Sequence, residues 1–478
     1  MGMFKDRWLY VCRSCKALGG KKDVIVTRRH EYGTVRCPLC NRMTSPFDLK
    51  GDPNKGVEFP KGGKKFPRTL VANSEQQKVA DMIAERCRDL DCPGKITDVQ
   101  QGPIVAEYQF APDQFTRIRK VRGINEDLAI GLNVENVSFA RTPGKPCLSI
   151  YVPNKERKVV PFSDTLKSVI AHRNDMELPM NLGVTSTGQP YMEDLARLPH
   201  LLIAGSTGAG KSTLLHALIL SLLYIRSPKQ LKFLMIDPKS VELFKYNDLP
   251  HMMRPAEADV YSALSILETT VQEMRRRMAN LQGFNCQNIA EYNEKVAQEA
   301  EIFRKAGNIA EAERRADDAW PRIVVVIDEI ADFMLQEKKL FTEKLAEISQ
   351  MSRAAGIHVI AATQRPSVDV LNGKIKVNFP ARVAFRVPSV QDSRTILHAK
   401  GAETLLGYGD MFYMTPVRPG LQRLHSPFTT PADIATLKKV SLEIGHFRRV
   451  PADGPEAPVV AVDGKKANGK PLPKTMVN

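Results

Sequence analysis

The chain has 478 residues, 43% of them hydrophobic and 26% charged, and a formal net charge of +16. This composition is ordinary for a globular protein, and the length exceeds the size at which one core stops growing, so two or three domains are expected. No apolar run of 18 residues and no apolar signal-peptide core occur, so we expect a soluble, cytoplasmic protein without membrane insertion.

Basic residues are concentrated near the N-terminus. Residues 1–68 hold 16 Lys/Arg against 6 Asp/Glu, which places +10 of the +16 there. Such a surplus favours a polyanionic partner, nucleic acid first, because cations that neutralise phosphates release counterions. The alternative is a basic protein that is merely soluble.

Two Cys-x-x-Cys pairs predict a zinc site rather than a disulfide framework, because the chain has no secretory features. The pairs are separated by 21 residues and consist of Cys12, Cys15, Cys37 and Cys40. Residues 23–27 have strand composition, and so small a module needs a metal to hold its core. We predict a Zn²⁺ ribbon over residues 1–48, with free structural thiols as the alternative. Its basic side chains could contact DNA or an acidic protein partner, or only solvate the fold.

Residues 49–73 are rich in Gly, Pro and Lys, which predicts a flexible basic linker. After it, helical spacing gives way to short strand patterns, which predicts a small α+β domain over residues 74–178. The predicted elements are a helix from Ser74, a hairpin over 99–110, a helix over 124–132, and strands over 134–139 and 147–152.

A glycine-rich loop lies between a predicted strand and a predicted helix. Residues 201–204 are an apolar run, and residues 213–224 have helical periodicity. Between them Gly205 and Gly210 frame four residues and precede Lys-Ser, the P-loop spacing, in which backbone N–H groups and the lysine hold phosphates and the next hydroxyl binds Mg²⁺. The residues expected to bind ATP and Mg²⁺ are Gly205, Ser206, Thr207, Gly208, Ala209, Gly210, Lys211, Ser212 and Thr213. A glycine turn that matches the pattern by chance is the alternative.

Acidic residues follow two later apolar runs. Residues 231–236 end at Asp237, and residues 323–327 end at Asp328 and Glu329. The carboxyl ends of buried strands are where an open α/β sheet places its chemistry. Asp328 is therefore predicted to hold Mg²⁺ and Glu329 to polarise the attacking water, with an acidic helix N-cap as the alternative.

The rest of the sequence predicts long helices over 256–279 and 289–319. The charged residues within 296–319 are expected to form a solvated face, and we assign them no catalytic or binding role. A strand over 357–362 delivers Gln364, which we expect to sense the γ-phosphate. A strand over 381–387 follows in a basic region that includes Lys374, Lys376, Arg382 and Arg394. Residues 451–478 are predicted to be disordered.

Several blocks of the sequence resemble the motor of the FtsK/SpoIIIE family of double-stranded DNA translocases. GPIVAEYQF and YVPNKERKVV resemble its α subdomain, and LPHLLIAGSTGAGKS, IDPKSVEL, VVVIDEIADFM, SRAAGIHVIAATQRPSVDVLNGKIK and DSRTILHAKGAETLLGYGDMFY resemble its β subdomain in order. The resemblance implies an α/β fold with a RecA-like P-loop NTPase core over residues 179–450. It also implies a homo-hexameric ring around duplex DNA, with ATP at the subunit interfaces.

Carried over by position, Lys211 and Ser212 bind phosphate and Mg²⁺, Asp328 and Glu329 serve metal and water, and Gln364 senses the γ-phosphate. The arginine supplied by a neighbouring subunit is expected among Arg353, Arg365 and Arg382. The DNA-contact candidates are Lys374, Lys376 and Arg394.

The sequence also departs from the family pattern. His398 stands where the family usually has an acidic residue, and neither membrane helices nor a winged-helix DNA reader is evident. We therefore expect an unanchored motor without strong DNA sequence preference, as on a phage or another mobile element. Two other functions remain open, namely a protein-translocating ATPase of the same family and a binding module whose assembly ATP switches.

Overall fold

The computed structural model describes residues 74–141, 145–171, 174–198, 200–436 and 438, together with the backbone of four short strands in the first 44 residues. Those strands are β1 (Arg7–Tyr10), β2 (Ile25–Arg28), β3 (Val35–Arg36) and β4 (Met43–Thr44). β1 pairs with β2 and β3 with β4, both antiparallel. The cysteines of the predicted zinc site lie outside the described residues, so the ribbon stays a prediction.

A small antiparallel sheet with helices forms the first described domain. Its elements are α1 (Ser74–Asp89), β5 (Gly94–Gln101), β6 (Val105–Pro112), α2 (Ile118–Val121), α3 (Asn125–Leu132), β7 (Ser138–Arg141) and β8 (Leu148–Pro153). The strand order is β5-β6-β8-β7, and buried residues of α1 and α3 pack with those of β6 and β8 in one core. The predicted α+β architecture is confirmed, although β7 begins four residues later and ends two residues later than expected.

A nine-stranded mixed sheet organises the rest. Its strands are β9 (Pro179–Thr185), β10 (Pro190–Asp194), β11 (His200–Ala204), β12 (Leu231–Ile236), β13 (Arg322–Ile327), β14 (Ile357–Thr363), β15 (Ala381–Phe385), β16 (Asp410–Thr415) and β17 (Arg418–His425). The order is β10-β9-β17-β16-β15-β11-β14-β13-β12, with β15, β11, β14, β13 and β12 parallel and the other four antiparallel. The parallel half is the predicted α/β core. The sequence did not predict the antiparallel half.

Helices connect the strands of this sheet and pack on it or on one another. They are α4 (Phe162–Ala171), α5 (Lys211–Ile225), α6 (Val260–Gly283), α7 (Ile289–Lys305), α8 (Ile309–Ala316), α9 (Ile330–Gln336), α10 (Lys338–Ala355), α11 (Gly373–Asn378) and α12 (Val390–Leu397). No helix in the described part of the chain is long and apolar enough to cross a membrane.

One helical prediction needs correction, and one domain assignment differs from the packing in the structure. The helix expected over 289–319 is two helices, because Gly307 has a left-handed backbone (φ 79°) and the Asn308 side chain caps α8 by accepting from Glu311 N. The second concerns α4, which lies in the range predicted for the small domain but packs against β9 of the large sheet. Asn181 Nδ2 donates to Thr165 Oγ1 at 2.8 Å across that contact.

A buried ion pair joins the two sheets. The Arg423 guanidinium of β17 lies 2.7 Å from the Asp410 carboxylate of β16, and both side chains are buried. The same guanidinium donates to Ser138 Oγ of β7 at 2.5 Å and lies over the Tyr151 ring of β8. The small sheet is therefore attached through β17, and Asp410, the first residue of β16, fixes the arginine that makes the contact.

A buried histidine ties β11 to β14. His200 Nδ1 accepts a hydrogen bond from Val359 N at 3.0 Å, and its Nε2 lies 3.2 Å from Ser352 Oγ. Burial lowers the pKa of His200 to about 3, and the neighbouring His358 acts in the same direction. Between about pH 6.5 and pH 3, this imidazole is therefore protonated in the unfolded chain but neutral in the folded protein.

We expect acid to destabilise the protein through this group, because the free energy of unfolding falls as the pH drops from about 6.5 towards 3. Between pH 7.5 and 5 the loss is about 2 kcal/mol, at about 1.4 kcal/mol per pH unit below 6.5. Thermal melting midpoints at pH 7.5 and pH 5 follow this loss of stability. His200→Gln should show a smaller fall than the unmodified protein, and an equal fall in both would contradict the assignment.

Candidate functional site

The glycine-rich loop connects the end of β11 to the start of α5. Its first residue must be glycine, because the Phe385 side chain lies too close for a Cβ. A Cβ at Gly205 would lie 2.5 Å from Phe385 Cβ, inside any real contact distance. Gly208 (φ 76°) and Gly210 (φ 120°) have backbones that favour glycine. No protein atom lies within 4 Å of the position that a Cβ at Gly208 would take, so the tip of the loop is open.

Neighbouring strands fix both sides of the loop. Gly205 N donates to Thr363 O at 3.2 Å, and Ser206 N donates to Arg386 O at 3.0 Å. On the other limb, Gly409 N donates to Ala209 O at 2.9 Å. The loop is thus held by β14, by the residue after β15 and by the residue before β16.

Lys211 and Asp328 form a buried ion pair at the carboxyl edge of the sheet. Lys211 Nζ lies 2.6 Å from Asp328 Oδ1 and donates to the Asp328 carbonyl at 2.8 Å. The side chains are 3% and 2% exposed. The structure therefore brings together two residues that the sequence separates by 117 positions.

Glu329 is held by the end of β14 and by its own helix. Its Oε1 accepts from Thr363 Oγ1 at 2.6 Å and from Ala331 N at 3.3 Å, and its Oε2 accepts from Gln364 N at 2.8 Å. The bond to Ala331 N makes Glu329 the N-cap of α9. Thr363, which sequence reasoning missed, carries no motif signal beyond its place at the end of an apolar strand.

Gln364 reaches the glycine-rich loop. Thr207 Oγ1, at the exposed tip, donates to Gln364 Oε1 at 2.7 Å. Because Gln364 also donates its backbone N–H to Glu329, one residue contacts both the loop and the acidic pair.

Asp237 differs from Asp328 although both follow apolar strands. Its carboxylate accepts from four backbone N–H groups, those of Lys239, Val241, Glu242 and Leu243. The turn that it builds places Glu242 Oε2 2.8 Å from His216 Nε2 on α5, and this contact lowers the pKa of Glu242 to about 2. Asp237 thus organises a turn against α5.

The three candidates for the arginine that acts on a neighbouring subunit differ in exposure and in hydrogen bonding. Arg353 at the end of α10 and Arg365 after β14 are exposed. Arg382 is buried and donates to the carbonyl groups of Phe379, Ile396 and Lys376. Its guanidinium is committed to holding α11 and α12 against β15.

Lys374 of the predicted basic region lines a groove together with two lysines that carry no sequence signal. A groove of about 530 Å³ between α10 and α11 is lined by Lys338, Lys339 and Lys374, together with Thr342, Glu343, Asn372 and Gly373. Lys376 is half-buried, and Arg394 is exposed on α12. Lys338 and Lys339 lie 35 or more positions before Lys374, and only the fold brings them into the same groove.

The hydroxyl expected to bind magnesium lies next to the P-loop lysine. Ser212 is half-buried in the first turn of α5 and follows Lys211 directly. Within the described ranges, no group of three or more His, Cys, Asp or Glu could hold a metal by itself. A magnesium site here would depend on phosphate oxygens as ligands, which is usual for Mg²⁺.

A glycine substitution tests the close approach at the loop. Gly205→Ala should force β11 and β15 apart, which costs about 1–3 kcal/mol of stability and distorts the loop. We expect a lower melting midpoint and weaker ATP binding. Gly283→Ala is the matched control, because no atom lies within 4 Å of its added Cβ. Equal behaviour of the two variants would refute the close approach.

Comparison with known proteins agrees with this geometry. Residues 162–368 match the FtsK/SpoIIIE family, and residues 64–154 match the FtsK alpha domain. The chain is 39% identical to the DNA translocase FtsK of Haemophilus influenzae, over 77% of this chain and 71% of that protein.

Other relatives are longer than the part that the chain matches. The chain is 38% identical to the DNA translocase FtsK of Rickettsia typhi, over 86% of this chain and 58% of that protein. The chain is also 39% identical to the DNA translocase FtsK of Helicobacter pylori strain J99, over 77% of this chain and 42% of that protein. The chain thus spans about half the length of these two relatives.

A solved structure has the same fold. The monomer form of the pCW3 conjugation coupling protein TcpA with ATPγS covers 76% of this chain and 99% of its own, with a TM-score of 0.51 and 22% identity. The sequence matches, together with the P-loop and acidic pair on a RecA-like sheet, lead to one conclusion. The chain belongs to the FtsK/SpoIIIE family.

Proposed function

We propose that the chain is an ATP-driven motor that translocates double-stranded DNA. The observation that carries this proposal is the meeting of Lys211, Asp328 and Glu329 at one sheet edge beside an open P-loop. Relatives named DNA translocase over most of this chain supply the substrate class.

The residues present fit ATP with Mg²⁺. The loop tip at Gly208 has free space, and Lys211 supplies a cation for the β- and γ-phosphates. When bound, Mg²⁺ neutralises charge that develops on the transferred phosphoryl group. Ser212 and Asp328 would hold it, and Lys211 would exchange its contact with Asp328 for one with phosphate.

Glu329 is proposed to orient the attacking water. Its carboxylate is fixed by Thr363 Oγ1 and by Gln364 N, so its direction is set before a nucleotide arrives. Gln364, which also contacts Thr207, would report on the γ-phosphate. Hydrolysis would then alter the position of the end of β14.

We propose a homo-hexameric ring in which a neighbouring subunit completes the site. An arginine that acts on a neighbour must be exposed, which favours Arg353 and Arg365 over the committed Arg382. Arg353 is the stronger candidate, because it precedes β14 and so lies at the opposite sheet edge from its own P-loop. Mass measurement with an ATP analogue tests the ring.

We propose that Cys12, Cys15, Cys37 and Cys40 bind one zinc ion and that the basic ribbon grips DNA or an acidic protein. The spacing of the thiols and the +10 charge of residues 1–68 support this. Zinc analysis of the purified chain tests the metal.

Two substitutions separate ATP binding from hydrolysis. Lys211→Ala should abolish binding, because it removes the phosphate cation and leaves Asp328 buried without its partner. Glu329→Gln should still bind ATP but hydrolyse it 10²-fold or more slowly, on the order expected for loss of a group that positions the nucleophile. Fluorescent ATP-analogue binding and phosphate release measure the two steps, with and without long duplex DNA.

Melting midpoints serve as the control for both variants, since each substitution disturbs buried hydrogen bonds. Normal turnover in a folded Lys211→Ala variant would refute the site. An unmodified protein that hydrolyses ATP without any response to duplex DNA would instead favour a polypeptide substrate or an ATP-switched assembly.

The lysine groove provides the test for DNA binding. Lys338→Ala, Lys339→Ala and Lys374→Ala combined should leave basal ATPase intact but weaken DNA stimulation. For each lysine that binds a phosphate, its removal should make the slope of log affinity against log salt shallower by about 1. Phosphate groups carry no sequence information, so the weakening should be uniform across duplex sequences.

The matched control removes the same charge from surfaces remote from the groove. Lys78→Ala, Lys167→Ala and Lys305→Ala combined replace three exposed lysines on α1, α4 and α7. Equal salt slopes for the two triple variants would mean that the groove acts only through net charge.

A further inference from the structure

A tyrosine with unusual backbone geometry lies beside the P-loop. Gly407, Tyr408 and Gly409 have φ values of 78°, 50° and 97°, three successive left-handed residues. A side chain with a Cβ is disfavoured there. The Tyr408 side chain is nevertheless 84% exposed, so it is not retained for core packing. Backbone strain that brings no packing is a feature of functional sites.

The surrounding hydrogen bonds fix this segment against the phosphate loop. Gly409 N donates to Ala209 O at 2.9 Å, and Ser426 N donates to Gly409 O at 2.8 Å. A Cβ at Gly210 would lie 2.9 Å from Gly409 Cα, so the two backbones touch. Tyr408 is therefore one residue from a rigid contact with the P-loop.

An exposed arginine accompanies the tyrosine. Arg386 accepts a hydrogen bond from Ser206 N through its carbonyl group, which places its backbone at the first limb of the loop. Its Cδ lies 4.0 Å from the position that a Cβ at Gly407 would take. A flat guanidinium and a phenol ring, both suited to stacking, thus belong to the same rim.

The rim lies on the side of the loop that the acidic residues do not use. β11 lies between β14 and β15, with Asp328 and Glu329 reached across β14. Arg386 follows β15, and Tyr408 precedes β16, on the opposite side. If the terminal phosphate is directed to the acidic pair, the other end of the nucleotide extends towards Arg386 and Tyr408.

We propose that Tyr408, supported by Arg386, forms the base subsite of the nucleotide site, with the phenol ring stacked on a purine. This inference rests on the proposed nucleotide binding at the P-loop. The subsite would recognise the base through a ring face rather than through hydrogen bonds to base edges. Discrimination should therefore favour purine over pyrimidine triphosphates and not ATP over GTP, because stacking accepts any base and grows with ring area.

Calorimetric binding of a non-hydrolysable ATP analogue, used in place of ATP, and of inorganic tripolyphosphate to the full chain with Mg²⁺ tests the proposal. Tyr408→Ala should weaken ATP binding about tenfold, within the range for loss of one base-stacking ring, and leave tripolyphosphate binding unchanged. Tyr408→Phe should keep the affinity for ATP. Tyr261→Ala, which removes another exposed tyrosine on α6, should change neither.

The outcomes separate two failures. If the unmodified protein binds neither ATP nor tripolyphosphate, the nucleotide site itself is wrong. If it binds ATP and Tyr408→Ala binds it equally well, only the base subsite is wrong. Equal weakening of both ligands would show that Tyr408 supports the loop instead of the base, and would also overturn the proposal.

Discussion

The Lys211 ammonium and the Asp328 carboxylate lie 2.6 Å apart with almost no exposure to water. Removing each charge from water costs several kcal/mol, and only close pairing with further hydrogen bonds offsets that cost. The pair spans β14, because β11 and β13 are two strand spacings, about 10 Å, apart. The pair therefore needs a long flexible cation at the start of α5, which follows β11 and the loop, and a carboxylate directly after β13. The sheet order and the chemistry of this edge depend on each other.

Close packing of backbone atoms shapes the loop beside this pair. Gly205 has no room for a Cβ against Phe385, and Gly210 meets the backbone of Gly409. Backbone packing of this kind holds N–H groups in place, so a triphosphate would meet a prepared loop and a charge pair ready for exchange. Lys211 would gain phosphate oxygens and Asp328 would gain a cation, so neither charge is left unpaired. Preorganisation of this type avoids the cost of ordering the site during binding.

The sequence predicted the parallel half of the sheet well, because fully buried strands such as β13 read as continuous apolar runs between turn signals. It missed β16 and β17. In β17, Arg423 and other polar residues interrupt the apolar pattern, and the burial of Arg423 depends on Asp410, a partner on the neighbouring strand. β16 offers only the four-residue apolar run 411–414, which is too short to distinguish a strand from a buried helical turn. The P-loop and the acidic pair were found from spacing. The sequence could not predict that Arg382 donates to three carbonyl groups, since Phe379, Ile396 and Lys376 come together only in the fold. Thr363 and the groove lysines were missed for the same reason.

Glu329 shows that a helix cap and a reactive carboxylate are not exclusive interpretations of one residue. Its bond to Ala331 N starts α9, while its bonds to Thr363 and Gln364 tie it to the end of β14. A shift of that strand end must therefore move the carboxylate. Gln364 contacts Thr207 at the loop tip, where phosphate would compete for the same hydroxyl. In the proposed function, occupancy of the loop would be linked to the orientation of the carboxylate through two adjacent residues, Thr363 at the end of β14 and Gln364 in the turn after it. One bound phosphate would change the geometry of this short path of hydrogen bonds.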